Sequence, residues 1–170
     1  MLMTRTQRSS NTNLLALIPR TETNMTAQTY ERLTYQGESL GMCTSPLSDF
    51  FAYSDSWPRF ARTDTSLWRH YIGTWEILGD RLYLIGLEAT MMDGKPATLA
   101  TVFPDFPDRV FAHWYSGELR VPQGKLIKYV HMGFRSKYEE NFFLDVANGV
   151  LTGTRLVKNN ITEVENGLND

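Results

Sequence analysis

The densest run of chemically versatile side chains lies between Trp114 and Tyr138. Trp114-Tyr115-Ser116-Gly117-Glu118-Leu119-Arg120 is followed closely by Tyr129-Val130-His131-Met132-Gly133-Phe134-Arg135-Ser136-Lys137-Tyr138. Guanidinium and ammonium groups hold anions, phenol rings stack and donate, and an imidazole exchanges protons near neutral pH. Read as a site, Arg135 and Lys137 meet an anionic group while Tyr115, Tyr138 and His113 complete the ligand contacts. No catalytic residue is identified. If the protein catalyses a reaction, His131 is the acid or base, Arg135 holds the substrate, and Glu118 is the carboxylate to accompany them. Read as structure, the same residues are solvent-facing strand ends with ordinary cross-strand ion pairs, such as Lys137 with Glu118.

Other constellations fail on spacing. There is no phosphate-cradling glycine loop, paired-cysteine metal site, helical His-Glu-x-x-His or Gly-x-Ser-x-Gly elbow. His70, His113 and His131 are too dispersed for local metal spacing, so neither metal nor cofactor is expected. Glu139 and Glu140 resemble an acid–base pair, but neighbours on a strand point to opposite faces and cannot act on one substrate. The single cysteine, Cys43, excludes an internal disulfide framework and has no nucleophile context.

These residues need a scaffold, and the turn signals indicate which. Gly79-Asp80 fits a two-residue hairpin turn of the II′ kind between two apolar, β-rich runs, and Asp93-Gly94, Ser116-Gly117, Gln123-Gly124 and Asn148-Gly149 continue the series. Strands are expected over 68–78, 81–89, 97–103, 109–115, 118–121, 125–134, 138–146 and 150–157. Leu33 and Tyr35, then Leu40 and Met42 beyond Gln36-Gly37-Glu38, predict an earlier hairpin. Ser45-Pro46 predicts a short helix over 46–53, with proline in its first turn. Tyr71, Gly73, Trp75 and Ile77 share the greasier face of their strand, and Trp57 and Phe60 pin a long connection to the domain. Short connections force antiparallel neighbours. The expected fold is therefore mostly β, an antiparallel meander closing into a barrel or sandwich with one short helix.

Gly73-Thr74-Trp75 resembles the Gly-x-Trp signature that opens lipocalin-like ligand-binding barrels. The resemblance implies a tryptophan closing the barrel floor, a late arginine packed across it, for which Arg155 is the candidate, and an interior cavity. About seventy residues precede the triplet here, where that family has a short lead-in. The wider cadence Trp68-Arg69-x-Tyr71-Ile72-Gly73-Thr74-Trp75-Glu76-Ile77 resembles a group of small bacterial or phage proteins to which no activity is attached.

Composition bounds the rest. The chain has 170 residues, 42% hydrophobic and 21% charged, which suits one domain of ordinary size. We read 1–27 as a flexible arm, 28–158 as the domain and 159–170 as a tail, with Met25 an alternative start. Seventeen basic against nineteen acidic residues remove the electrostatic case for bulk nucleic-acid binding. No run reaches the ~20 apolar residues that span a bilayer. The expectation is a cytoplasmic, non-enzymatic protein that binds a small molecule or a protein partner through its aromatic-rich domain. A small enzyme with an aromatic-lined cavity, and an assembly protein or homodimer pairing through an edge strand, are the alternatives.

Overall fold

The structure, a computed structural model, describes residues 26–54 and 58–159. Its strands are β1 (Glu31–Tyr35), β2 (Glu38–Met42), β3 (Tyr71–Leu78), β4 (Arg81–Thr90), β5 (Pro96–Ala97), β6 (Val110–Phe111), β7 (Gly117–Lys128), β8 (Lys137–Ala147) and β9 (Val150–Lys158), with helices α1 (Pro46–Tyr53) and α2 (Leu99–Val102). They form one sheet in the order β2-β1-β3-β4-β9-β8-β7, and β5 and β6 pair with β4 off that path. The fold is mostly β, as the alternation and turn spacing require, and the helix over 46–53 is present.

Hairpin chemistry sets the register. Gln36-Gly37, Gly79-Asp80 and Asn148-Gly149 all have positive φ at both central residues, joining β1 to β2, β3 to β4 and β8 to β9. That is the I′ geometry, so Gly79-Asp80 is not the II′ turn expected from its glycine-first order: Asp80, at φ 58°, tolerates the left-handed region. On β3 the alternation holds. Tyr71, Gly73, Trp75 and Ile77 are buried and their neighbours are not. Trp75 is fully buried among Leu33, Leu82, Leu84 and Leu144, each also at 0% exposure, and truncating such a ring costs about 3–5 kcal/mol.

Three expected elements differ. Residues 97–103 are not a strand: two residues of β5 are followed by α2, started by the Thr98 amide donating to Thr101 Oγ1 at 3.0 Å. Of 109–115 only Val110–Phe111 pair, because Tyr115 N bonds back to Ala112 O in a turn. Gln123-Gly124 does not reverse the chain. Its left-handed glycine (φ 76°) sits at a register shift inside the continuous strand β7, where Glu139 Oε2 accepts from Lys125 N at 2.9 Å; a glycine marks a bulge as readily as a turn. Beyond Lys128 the chain leaves the sheet as a loop.

Most neighbours are antiparallel, but β1 and β3 are parallel, since the long connection through α1 permits a crossover. Two joins hold the halves β2-β1-β3-β4 and β9-β8-β7 together. Arg81 pairs with Val150 at the β4/β9 seam, and Cys43 N donates to Arg120 O where β2 approaches β7. The result is an open barrel, or a sandwich joined along two seams. Phe60 is buried and bridges Met91, which ties down the long connection; Trp57 lies outside the described residues, as do nearly all of the arm and tail.

Candidate functional site

A charge sits in the apolar interior. Glu31 is 0% exposed, and its carboxylate accepts from Arg69 Nε (2.5 Å), Gly73 N (2.9 Å) and Trp75 Nε1 (2.8 Å). Ionised carboxylate is an acceptor only, so three donors and no acceptor suit its charged form. Burial nevertheless pushes the Glu31 pKa up to about 7, against the lowering pull of Arg69, Trp75 and Gly73. The Gly-x-Trp motif now has a local physical reason: a Cβ on Gly73 would stand 2.2 Å from Glu31 Oε2 and 2.7 Å from Trp75 Nε1. Glycine makes room for the carboxylate, and the indole then bonds it. Arg155, the expected partner of the tryptophan, is elsewhere. It lies on β9 over the Phe143 ring, bonded to Asp145 and Glu118.

Arg69 divides two cavities. Its guanidinium carbon lies 5.6 Å from the Tyr71 ring centroid and 5.7 Å from that of Phe134. Nη2 donates to Thr29 O at 2.9 Å, and Nη1 donates to none of the described residues. On the Tyr71 side is a cleft of about 460 Å³ walled by Phe51, Trp68 and Tyr71, with Ser48, Ala52, Arg69 and His70 completing it. Ser48 Oγ and Tyr71 OH are 2.7 Å apart, and burial raises the Tyr71 pKa, so the phenol stays protonated. His70 is held at φ 63°, in the left-handed region, and its Nδ1 is buried with no hydrogen-bond partner among the described residues. Each of those features carries a cost, and such costs concentrate at functional positions.

On the Phe134 side is a cavity of about 270 Å³ formed by Thr29, Tyr30, Tyr129, Phe134, Ser136 and Tyr138 with Ala27, Gln28 and Gly133. Arg120 holds its loop from behind, donating to Phe134 O (2.8 Å), Ser136 O (3.1 Å) and Asn141 Oδ1 (2.8 Å). The Tyr30 and Tyr138 hydroxyls are 2.7 Å apart. Burial drives the Tyr30 pKa upward and the Cys43 thiol up to about 11.

The residues singled out in the sequence are dispersed. Tyr138 lines the smaller cavity. Lys137, the first residue of β8, is exposed and alternates with half-buried Tyr138, so the strand turns it the other way, and Arg135 is exposed in the loop before β8. Lys137 faces Lys128 across the β7/β8 ladder, not Glu118, which pairs with Arg155. Tyr115 is buried and gives its hydroxyl to Glu118 O at 3.0 Å. His113 is exposed, edge-on to Trp114 at 5.6 Å, and exposed His131 stands edge-on to Tyr129 at 4.5 Å. Neither His131 nor Arg135 has a carboxylate partner among the described residues. Sequence reasoning missed Glu31, Arg69 and His70, for which the one local signal was Arg69-His70 entering a strongly alternating strand. Among the described residues no cluster of His, Cys, Asp and Glu is arranged to hold a metal ion, and no helix is long and apolar enough to cross a membrane. Compared with family models, with curated proteins and with solved structures, the chain has no match.

Proposed function

We propose that the protein works by binding a small aromatic anion in the cleft between α1 and the start of β3. The carrying observation is the meeting, in one cavity of about 460 Å³, of three aromatic walls with His70 and the uncommitted edge of Arg69. A flat ring lies against exposed Trp68, with the buried Phe51 and Tyr71 closing the wall behind it; a carboxylate or similar group takes the Nη1 edge, with the Ser48–Tyr71 hydroxyls close by. Glu31 orients Arg69 from beneath, so the cation is positioned before any ligand arrives, which lowers the entropic cost of binding. The reading is non-enzymatic, since no carboxylate faces His70 as a proton-transfer partner among the described hydrogen bonds.

Benzoate is the probe. Calorimetric titration should give a Kd on the order of 1 mM, about −4 kcal/mol. Ala52→Trp, placed at an exposed rim position, should abolish the signal, and His70→Ala should weaken it. No saturable binding, or full binding by a folded Ala52→Trp protein, refutes the proposal.

A second reading, self-pairing through an edge strand, is favoured by β9. Beyond Leu151 its ladder runs to β8 alone among the described residues, and Leu156 and Val157 are 51% and 40% exposed. Light scattering on the wild type and a Leu156→Lys variant tests it: a dimer that the substitution converts to monomer supports this reading, and a monomeric wild type ends it.

A further inference from the structure

The smaller cavity differs from the cleft in one respect that decides its chemistry: none of its lining side chains carries a formal charge. Tyr30 stays a neutral phenol because burial raises its pKa. The nearest charge, Arg69 against the Phe134 ring, is already paired with Glu31, so a charged ligand entering there would be desolvated without a free counter-charge, which is costly, whereas a flat neutral molecule loses little. Tyr129, Phe134 and Tyr30 supply rings; Tyr30 and Phe134 lie 6.0 Å apart, tilted at 43°. The Tyr30 and Tyr138 hydroxyls share a bond of 2.7 Å, and Tyr30 also hydrogen-bonds the Cys43 thiol behind it. With the thiol donating to Tyr30 and Tyr30 donating to Tyr138, the Tyr138 proton is left for an acceptor. Other polar groups nearby are occupied: Ser136 Oγ bonds Val130, and the Gln28 amide bonds Thr65 O and Trp68 N. The cavity therefore presents aromatic faces and a single uncommitted hydroxyl proton.

We infer that this cavity is a second binding site, selective for uncharged planar molecules that bear a carbonyl-type acceptor. It is separate from the Arg69–His70 cleft, and Arg69 with its Glu31 partner forms the partition between them. The inference stands or falls independently of the anion-binding reading, because the two probes differ in charge and little in shape.

Benzamide, isosteric with benzoate, tests it on the full chain by saturation-transfer NMR and calorimetry. Saturable benzamide binding is expected. Tyr129→Ala removes a wall at a position 49% exposed, where truncation leaves the core intact, and should weaken that binding by about 2- to 12-fold. Tyr138→Phe, which deletes only the hydroxyl, should weaken it as well. Ala52→Trp, which fills the other cleft, should leave benzamide binding intact. The inference is overturned if benzamide shows no saturable binding, if both tyrosine variants bind it as the wild type does, or if Ala52→Trp abolishes it.

Discussion

Replacing Glu31 by Gln and Arg69 by Met, singly and together, tests whether the buried ion pair is a unit. Glu31 is fully buried and the Arg69 side chain is 9% exposed, so removing either partner strands a charge or a set of donors in a low-dielectric interior. Breaking such a pair costs about 3–5 kcal/mol, a large part of the ~5–15 kcal/mol that holds a domain together. In Glu31→Gln the amide oxygen still accepts from Trp75 Nε1 and Gly73 N, but the amide nitrogen opposes Arg69 Nε, donor against donor. Arg69→Met removes that opposition and fills much of the same volume between Tyr71 and Phe134. The double variant then retains one unsatisfied amide NH2 group, costing about 1–3 kcal/mol. It should be more stable than the sum of the single losses predicts by at least ~2 kcal/mol. Urea titrations followed by circular dichroism, with m-values compared to confirm two-state unfolding, measure the cycle. Additivity within about 0.5 kcal/mol would refute the claim that the two groups stabilise one another.

Further outcomes follow from the same geometry. Glu31 has a folded-state pKa of about 7 against an ordinary value of 4.5, so its contribution is fully present below pH 4.5 and is lost as pH rises through 7; the wild type should lose on the order of 3 kcal/mol between pH 5 and pH 8, and Glu31→Gln should show a flatter profile in the same titrations. Gly73→Ala drives a methyl into the carboxylate and indole and should cost 3 kcal/mol or more, beyond the ~1–3 kcal/mol of ordinary overpacking, read as a fall in Tm. His70→Gly relieves a left-handed backbone and removes an unsatisfied nitrogen; it should hold or raise stability by up to about 1 kcal/mol while weakening benzoate binding, and a clear loss of Tm would count against strain at this position. Cys43, with its thiol held protonated by burial, should alkylate far more slowly with iodoacetamide at pH 7.5 than a free thiol, and rapid labelling of the folded protein would contradict its placement.

The sequence by itself determined what depends on near neighbours. Period-two burial along Tyr71–Ile77, hairpins at Gln36-Gly37, Gly79-Asp80 and Asn148-Gly149, and a helix led by Pro46 are all set within a few residues, and the structure has each of them. Where one local signal serves two outcomes, the reading went astray: Gly124 bends a strand instead of ending it, and residues 99–102 coil despite their apolar run. Grouping Arg135, Lys137 and Tyr138 by proximity in the chain also overlooked that Arg135 and Lys137 are exposed while Tyr138 lines the smaller cavity. Only the tertiary structure decided the candidate site. Glu31 reaches Arg69 and Trp75 because β1 lies parallel to β3, a pairing made through a long crossover that no local pattern specifies. A glutamate beside a tyrosine near the start of a strand reads as an ordinary exposed charge; what buries it is the arrival of a distant arginine, an indole and a glycine that leaves them room.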